Sequence, residues 1–181
     1  PQAHPLDAGD SRPRAPETAP ATLPDGGSSS ATAPPVPQPI PAAIPTPPAR
    51  SGGKFLWPVE GTLLSVYGPT ADGLHNDGIN IEAPAGTPVL AAENGVVAYV
   101  GNELRGFGNL LLIKHSDGWV TAYAHTDSFL VQRGQSVTRG QQIATVGRSG
   151  SVDRPQLHFE IRKSSRAIDP REMLGPQSTS N

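Results

Sequence analysis

Apolar and polar residues alternate along the last two-thirds of the chain, in short runs that glycine and proline interrupt. A period of two is typical of strands with one buried face, and no window carries the 3.6-residue period of a helix. The pattern therefore predicts an all-β protein, specifically an antiparallel β-sandwich. The predicted strands and turn-rich β segments are residues 62–67, 87–92, 95–100, 109–114, 119–125 and 134–144.

A β-hairpin is predicted where Asp117 and Gly118 separate two of these strands. Both residue types tolerate positive φ, which tight hairpin turns require. In the strand that follows, strict alternation places Tyr123 and His125 on one face. We therefore expect Tyr123 and His125 to line the same surface.

The first 53 residues differ in composition from the rest of the chain. They hold 14 of the 21 prolines and no aromatic residue, so they cannot bury enough apolar surface to offset the entropy lost on ordering. We predict a disordered Pro/Ala-rich linker at 1–53, a folded domain at 54–174 and a flexible tail at 175–181. The composition indicates a semi-rigid spacer, and a ligand for a proline-binding module is the alternative.

Composition also excludes several classes of protein. The formal net charge of −2 provides no basic field for nucleic acid or anionic lipid. The absence of cysteine excludes disulfides, thiolate zinc sites and cysteine nucleophiles. No apolar run reaches the roughly 18 residues of a membrane span. Because the chain opens Pro-Gln-Ala without methionine, we expect a processed C-terminal piece of a longer protein.

Two separated stretches carry polar residues on one face of a predicted strand. Alternation along 156–162 directs its three apolar side chains to the core. The opposite face carries the polar set Gln156, His158, Glu160 and Arg162. In 74–81, the same rule groups Asn76 with Asn80. Together these side chains predict a groove lined by histidine and amides.

These segments resemble, in order and spacing, a LytM-type (lysostaphin-like) zinc endopeptidase domain over most of the predicted domain. The segments that carry the resemblance are 78–89, 123–125 and 157–162. That family has His-x-x-x-Asp, then a lone His, then His-x-His. Here Asn76, Asn80 and Gln156 stand at three of those five positions, while His125 and His158 remain.

The run 101–109 is similar to members of the degenerate NlpD, EnvC and DipM group. That group activates cell-wall amidases instead of cutting peptidoglycan. The resemblance therefore implies a non-catalytic regulator that binds and activates N-acetylmuramoyl-L-alanine amidases in septal peptidoglycan splitting during cell division. It also implies a periplasmic or cell-envelope location. The alternatives are a peptidoglycan-binding module without hydrolysis and an active zinc endopeptidase.

The chemistry of the altered positions favours a protein without a metal. Zinc catalysis needs imidazole or charged ligands and an open position for water. Of the ligand positions only His158 keeps such a group, and the amide oxygens of Asn76 and Asn80 are weak, neutral donors. A one-residue shift to His75 is disfavoured, because alternation places His75 on the opposite face. We therefore predict no cofactor and no enzymatic activity.

The groove has two interpretations, a binding surface for a protein or the relic of a lost catalytic site. In the first, the partner is a peptidoglycan amidase, with peptidoglycan itself as a further candidate ligand. Phe107 lies between two glycines and near Arg105, which predicts an aromatic anchor and a guanidinium at the groove's rim. The predicted partner-binding residues are Asn76, Asn80, Arg105, Phe107, Tyr123, His125, Gln156, His158 and Arg162.

Overall fold

The computed structural model describes residues 43–177, so the predictions for residues 1–42 and 178–181 lie outside the described residues. Within residues 43–177 the chain forms twelve strands, one 3₁₀ turn and one short α-helix. The strands are β1 Thr62–Ser65, β2 Gly68–Pro69, β3 His75–Asn76, β4 Ile79–Glu82, β5 Pro88–Leu90, β6 Gly95–Gly101, β7 Asn109–Lys114, β8 Trp119–Phe129, β9 Ser136–Val137, β10 Gln142–Val146, β11 Gln156–Lys163 and β12 Arg166–Ile168. The 3₁₀ turn is Ser116–Gly118, and the helix α1 is Pro170–Met173.

Ten of the strands form one sheet. Its central path runs β1-β4-β11-β8-β7-β6-β9, β12 pairs with β11, and β5 joins through β10, which pairs with the second half of β8. β2 and β3 form a separate hairpin. All of these pairings are antiparallel, so the predicted all-β, antiparallel class is confirmed. Within residues 43–177, no helix has the length and apolar character needed to cross a membrane.

The turn between β7 and β8 follows the predicted Asp-Gly chemistry. Asp117 has φ 59° and ψ 28°, and Gly118 has φ 72°. Two consecutive positive φ values are typical of a type I′ turn, whose twist matches the right-handed twist of paired strands. The Trp119 N–H donates to the Ser116 carbonyl and closes the turn. The turn thereby helps to set the register in which β7 pairs with β8.

Three segments differ from the predicted strand boundaries. Residues 74–81 form β3 and β4 with a two-residue break between them. Residues 134–144 supply β9 and the start of β10. The pattern does not predict α1, because four residues are too few to show a 3.6-residue period. Asp169 caps this single turn by accepting a hydrogen bond from the Arg171 N–H at 3.0 Å.

The core forms where central strands of the sheet pack against β5 and β10. Apolar side chains of β4, β7, β8 and β11 are buried in one cluster with those of β5 and β10. As predicted, Leu157, Phe159 and Ile161 all belong to this cluster, and each is fully buried. Burying a large apolar side chain stabilises the fold by roughly 1.5–3 kcal/mol. Because side chains alternate along a strand, the same burial directs His158 and Glu160 to the opposite face.

A buried carboxylate ties the segment before β1 to the sheet. Glu93 is fully buried. Its Oε1 accepts hydrogen bonds from the Ser51 N–H at 2.8 Å, the Ser51 hydroxyl at 2.7 Å and the Asn94 N–H at 2.8 Å. The Arg139 guanidinium donates to Oε2 at 3.1 Å. Burial by itself raises the pKa of Glu93, but these donors outweigh it and lower the pKa to about 2.

The folded region therefore begins before residue 54, which corrects the predicted boundary. The Ala49 carbonyl accepts a hydrogen bond from the Asn94 side chain at 3.1 Å. The Arg50 guanidinium carbon lies 4.4 Å from the centre of the Phe55 ring, within the range of a cation–π contact. Composition cannot reveal such contacts, because they depend on partners that only the fold brings near.

The predicted tail also begins too early in the chain. The Gly175 N–H donates to the Phe55 carbonyl at 2.8 Å, and the Gly175 carbonyl accepts from the Trp57 indole at 2.8 Å. Leu174 pairs with Phe55 through an isolated β-bridge. The residues that follow α1 are therefore part of the folded region through Gly175.

Removing residues 43–53 from a chain that begins at residue 43 should lower its free energy of unfolding by about 2–4 kcal/mol. The reason is that the buried Glu93 carboxylate loses both Ser51 donors. Urea unfolding of the two chains measures the difference. Equal stability within about 0.5 kcal/mol would show that the Ser51 contacts do not matter.

The difference should also depend on pH in a defined direction. Folding lowers the pKa of Glu93 from 4.5 to about 2, so its contribution is complete above about pH 4.5 and is lost as the pH falls through about 2. The difference in free energy of unfolding between the two chains should therefore become smaller as the pH falls from about 4.5 to about 2. Glu93→Gln in the longer chain is the control, because its side chain does not ionise.

Candidate functional site

Strand register and side-chain hydrogen bonds bring four of the predicted groove positions together. In the pairing of β4 with β11, Asn80 lies opposite His158. In the pairing of β11 with β8, His158 lies opposite Ala124. Asn76 and Gln156 both reach Asn80 by hydrogen bonds. The predicted grouping of these polar side chains away from the core therefore agrees with the structure.

Three amide side chains satisfy one another in this groove. Asn76 Nδ2 donates to Asn80 Oδ1 at 3.1 Å, and Asn80 Nδ2 donates to Gln156 Oε1 at 2.9 Å. Asn76 also donates to the Ser65 hydroxyl at 3.0 Å and accepts from the Gly78 N–H at 3.1 Å. Buried polar groups need such partners, so these bonds fix the orientation of all three amides. We call Asn76, Asn80 and Gln156 the amide network.

A second network runs from His158 along the sheet. His158 places Nδ1 3.2 Å from Asn80 Oδ1 and Nε2 3.0 Å from Glu160 Oε1. The Arg162 guanidinium donates to Glu160 Oε2 at 2.6 Å and to Asp77 Oδ2 at 3.0 Å. Glu160 is only 3% exposed. Burial by itself raises its pKa, but hydrogen bonds from His158 and Arg162 outweigh burial and hold the pKa of Glu160 below its ordinary value.

The position of Asp77 corrects one step of the sequence reasoning. Strict alternation places His75 and Asp77 on the face opposite the groove, yet Asp77 pairs with Arg162. The alternation is broken between β3 and β4, where Gly78 approaches the Phe159 carbonyl so closely that a Cβ would overlap it. Asp77 therefore joins the second network, and His75 Nδ1 lies 3.1 Å from its Oδ1.

His125 reaches the groove through a bulge in β8. From Tyr123 to Thr126, β8 advances three residues while the facing strand β7 advances two. His125 itself has a φ of 63°. Its ring centre lies 6.1 Å from that of His158, and its Nδ1 donates to the Ser149 carbonyl at 2.8 Å. Burial is the main cause that lowers the pKa of His125, and His158 adds to it, while the Ser149 carbonyl acts in the opposite direction.

Tyr123 does not line the groove, which corrects the sequence prediction. Its side chain is 0% exposed, and its ring centre lies 5.3 Å from that of Phe159 in the core. The Tyr123 hydroxyl accepts hydrogen bonds from the Ala92 N–H at 2.9 Å and from the Thr121 hydroxyl at 3.0 Å. The bulge is the physical reason, because the extra residue turns His125 away from the face that Tyr123 shares with Phe159.

The loop between β6 and β7 places Phe107 over the groove. The centre of its ring lies 5.8 Å from that of His158, and its side chain is 36% exposed. The His125 N–H donates to the Phe107 carbonyl at 2.9 Å, which connects the loop to the bulge. Arg105 is exposed on the same loop. Phe107 therefore lies at the rim as the sequence suggests, and its use in binding stays a prediction.

A cavity of about 390 Å³ opens beside the amide network. The network lines one side of it, and Leu64 and Leu74 contribute apolar walls. Leu74 is 67% exposed. This part of the groove therefore combines neutral amides and the carboxylate of Asp72 with exposed apolar side chains, which is the composition of many protein and peptide sites.

Sequence reasoning left Ser65, Asp77 and Ser149 out of the site, and it placed Glu160 on the groove face without including it among the partner-binding residues. Only Glu160 has a local signal, because it alternates with His158 on the polar face of β11. The other three come from separate segments. Their roles depend on the register and on the loops, which no local pattern encodes.

The fold and the groove define a peptidase-like β domain with amides at its centre. The sequence profile described as peptidase family M23 matches residues 74–170. The chain belongs to peptidase family M23, so the LytM-type resemblance is confirmed. The catalytic domain of the antimicrobial peptidase lysostaphin from Staphylococcus simulans is similar, with a TM-score of 0.57 and 30% identity over 62% of this chain and 90% of that one. This similarity confirms the lysostaphin-like fold.

Two relatives have names that describe a biological role. The cell division protein DipM of Caulobacter vibrioides is 49% identical over 128 residues, which are 71% of this chain and 21% of that protein. The murein hydrolase activator NlpD of Escherichia coli is 43% identical over 118 residues, which are 65% of this chain and 30% of that protein. The chain therefore spans less than a third of the length of each.

Zinc, which the peptidase fold implies, does not fit the residues of this groove. A zinc site needs about four nitrogen, sulfur or carboxylate donors in tetrahedral geometry. Here Asn80 Oδ1 already accepts from Asn76, and both nitrogens of His158 face oxygen atoms of Asn80 and Glu160. Among residues 43–177, no group of three or more His, Cys, Asp or Glu side chains is placed to hold a metal. The groove is arranged for hydrogen bonding between its own side chains.

Restoring the ligands should raise zinc affinity far above that of the wild-type chain. The change is Asn76→His with Asn80→Asp, which restores family-type ligands beside His158, together with Gln156→His, which restores the remaining histidine of the motif. After dialysis against zinc and then buffer, elemental analysis should find about one zinc per triple-variant chain and far less in wild type. Asn102→His, on the exposed loop, is the control. One tightly held zinc per wild-type chain would contradict the prediction.

Tyr123→Phe should destabilise the fold without changing the groove. Losing the hydroxyl leaves the Ala92 N–H without its acceptor in the core, which costs about 1–3 kcal/mol. Urea unfolding measures this loss. Because the hydroxyl is buried on the core side, chemical shifts of the His158 ring should match those of wild type. If the chemical shifts of the His158 ring change by more than the lost stability explains, Tyr123 contacts the groove and the prediction is wrong.

Proposed function

We propose that this chain is a non-catalytic regulator that binds a peptidoglycan amidase through the groove and activates it, in septal peptidoglycan splitting during cell division. The observation that carries the proposal is the amide network, whose polar atoms bond one another at the positions where a metal would need free donors. The name murein hydrolase activator and the name cell division protein, borne by two relatives, support it. Murein lies in the cell envelope, so we propose a periplasmic or envelope location.

Activation requires the groove to bind one conformation of the amidase more tightly than another. A tenfold preference for the open state corresponds to about 1.4 kcal/mol, which one well-buried anchor can supply. Phe107 offers such an anchor at the rim. The charges of Glu160 and Arg162 are paired with each other, so a partner does not have to neutralise them.

A peptidoglycan-binding module is the second candidate function. The cavity of about 390 Å³ beside the amide network favours it, because neutral amides pair well with the amide groups of a peptide stem. In this case the chain binds cell wall without a protein partner. The groove then serves recognition alone.

A dye-release assay on labelled sacculi separates these functions. With purified amidases present, the chain should raise the rate of dye release, and alone it should release none. Sedimentation with sacculi and no effect on any amidase would favour the peptidoglycan-binding module. Dye release by the chain alone would favour an endopeptidase and contradict the proposal.

Phe107→Ala should weaken amidase binding by more than about 1 kcal/mol while the fold is retained. The side chain is 36% exposed and packs over His158, so its loss removes contact area without opening the core. Calorimetry with the activated amidase measures affinity, and a thermal melt checks the fold. Leu130→Ala, at a leucine that is 54% exposed elsewhere, is the matched control. If the Phe107→Ala variant binds and activates the amidase like wild type, Phe107 has no role in binding.

Arg162→Ala is a less suitable test of the same surface. Its guanidinium donates to Glu160, which is 3% exposed, so the variant leaves a buried carboxylate without its cationic partner. Removing that partner destabilises the fold, and lost binding would then reflect lost folding. Asp117 and Ser164 are exposed turn residues, but they are also unsuitable as control positions. Their φ values of 59° and 47° make the backbone itself sensitive to substitution.

A further inference from the structure

The groove face of the sheet continues into an apolar area that the proposed function does not use. The cross-strand pairs Tyr99–Leu112, Leu112–Ala122 and Ala122–Glu160 form one row across β6, β7, β8 and β11. Adjacent strands lie about 4.8 Å apart, so this row spans about 14 Å from Tyr99 to Glu160. Directly paired residues share a face, and the groove and the apolar area therefore form one continuous surface.

A cavity of about 310 Å³ lies at the β6 end of this row, and we call it the Tyr99 cavity. It is lined by Tyr99, Leu104, Leu110 and Leu112, with Glu103 as its charged residue. The Tyr99 hydroxyl donates to the Glu103 carboxylate, which holds the charge beside the apolar walls. The volume is at the lower end of the range for binding sites, which suits a large side chain.

The backbone is built to allow this arrangement at Gly101. A Cβ at this position would overlap both the Tyr99 hydroxyl and the Glu103 carboxylate. Both atoms are the ends of flexible side chains, so a larger residue at 101 would displace the phenol and the carboxylate from their present positions.

The loop above this surface is held in one shape. The Phe107 N–H donates to the Leu104 carbonyl at 3.0 Å, so Leu104 and Phe107 stand at the two ends of one tight turn. Gly108 and Gly150 approach so closely that a Cβ on either would overlap the backbone of the other. Leu104 is 52% exposed at the Tyr99 cavity, while Phe107 packs over His158. A fixed turn therefore presents two apolar side chains, which lose little conformational entropy on binding.

We propose that the Tyr99 cavity is a second docking site for the amidase that the groove binds. It takes one large apolar side chain of the amidase, with a neighbouring lysine or arginine that pairs with Glu103. The proposal rests on the proposed function, because one amidase surface bridges the groove and the cavity. The Glu103 carboxylate is complementary to a basic segment and repels an acidic peptide or an anionic lipid surface.

Two variants with matched controls test this docking site. Leu104→Ser removes an exposed apolar wall, and Leu130→Ser makes the same change at a leucine of similar exposure, 54% against 52%. Glu103→Lys reverses the charge at the cavity, and Glu60→Lys reverses an exposed charge outside it. The probe is the amidase that the wild-type full chain activates in the dye-release assay. Calorimetry gives Kd, and a thermal melt checks each fold.

Leu104→Ser should raise Kd about tenfold, as expected for loss of an apolar anchor. Glu103→Lys should also raise Kd, and its effect should shrink as salt is added. Both controls should keep the wild-type Kd. All four side chains are exposed, so the melting temperatures should stay close to that of wild type.

Three other outcomes would contradict the proposal that the Tyr99 cavity is a docking site. If Leu104→Ser and Glu103→Lys bind normally while Phe107→Ala binds weakly, the Tyr99 cavity is not used and the proposed function stands. Equal weakening by Leu130→Ser would indicate a general loss of apolar surface and not a specific cavity. If the wild-type chain binds and activates no amidase, the proposed function and the docking site both fail.

Discussion

The position of β11 between β4 and β8 is the constraint on which both the core and the groove depend. Against β4, Phe159 lies opposite Ile79 and His158 lies opposite Asn80, and against β8 Phe159 lies opposite Tyr123. A one-residue slip would move every apolar side chain of β11 to the groove and bury its polar ones in the core. The apolar burial that stabilises the fold therefore also fixes the geometry of the groove.

Two buried carboxylates extend this constraint to the outer parts of the domain. Glu93 is fully buried and holds the segment before β1 through Ser51, while Glu160 orients His158 and Arg162. A buried charge is stable only with several well-placed donors, so each carboxylate requires a particular arrangement of its neighbours. The order of the N-terminal segment and the shape of the groove follow from the same requirement.

The centre of the groove carries amide side chains at positions where the resembled zinc peptidases have metal ligands or histidine. Asn76, Asn80 and Gln156 occupy the centre and bond one another, which links β3, β4 and β11 through side-chain hydrogen bonds. The match to the sequence profile assigns the chain to peptidase family M23, but function depends on the site and not on the fold. A rigid surface with neutral amides, paired charges and an exposed aromatic is suited to recognition.

Sequence alone determined the all-β class, the core face of β11 and the amide positions, because alternation and turn chemistry are local properties. It misplaced Tyr123 because one extra residue in β8 reverses the alternation before His125, and a bulge depends on the register with β7. The sequence-based boundary also started the domain too late. Ser51 has a role only after folding buries Glu93, which lies 42 residues further along the chain. The tertiary structure decided these features, since each depends on contacts between residues that are distant in the chain.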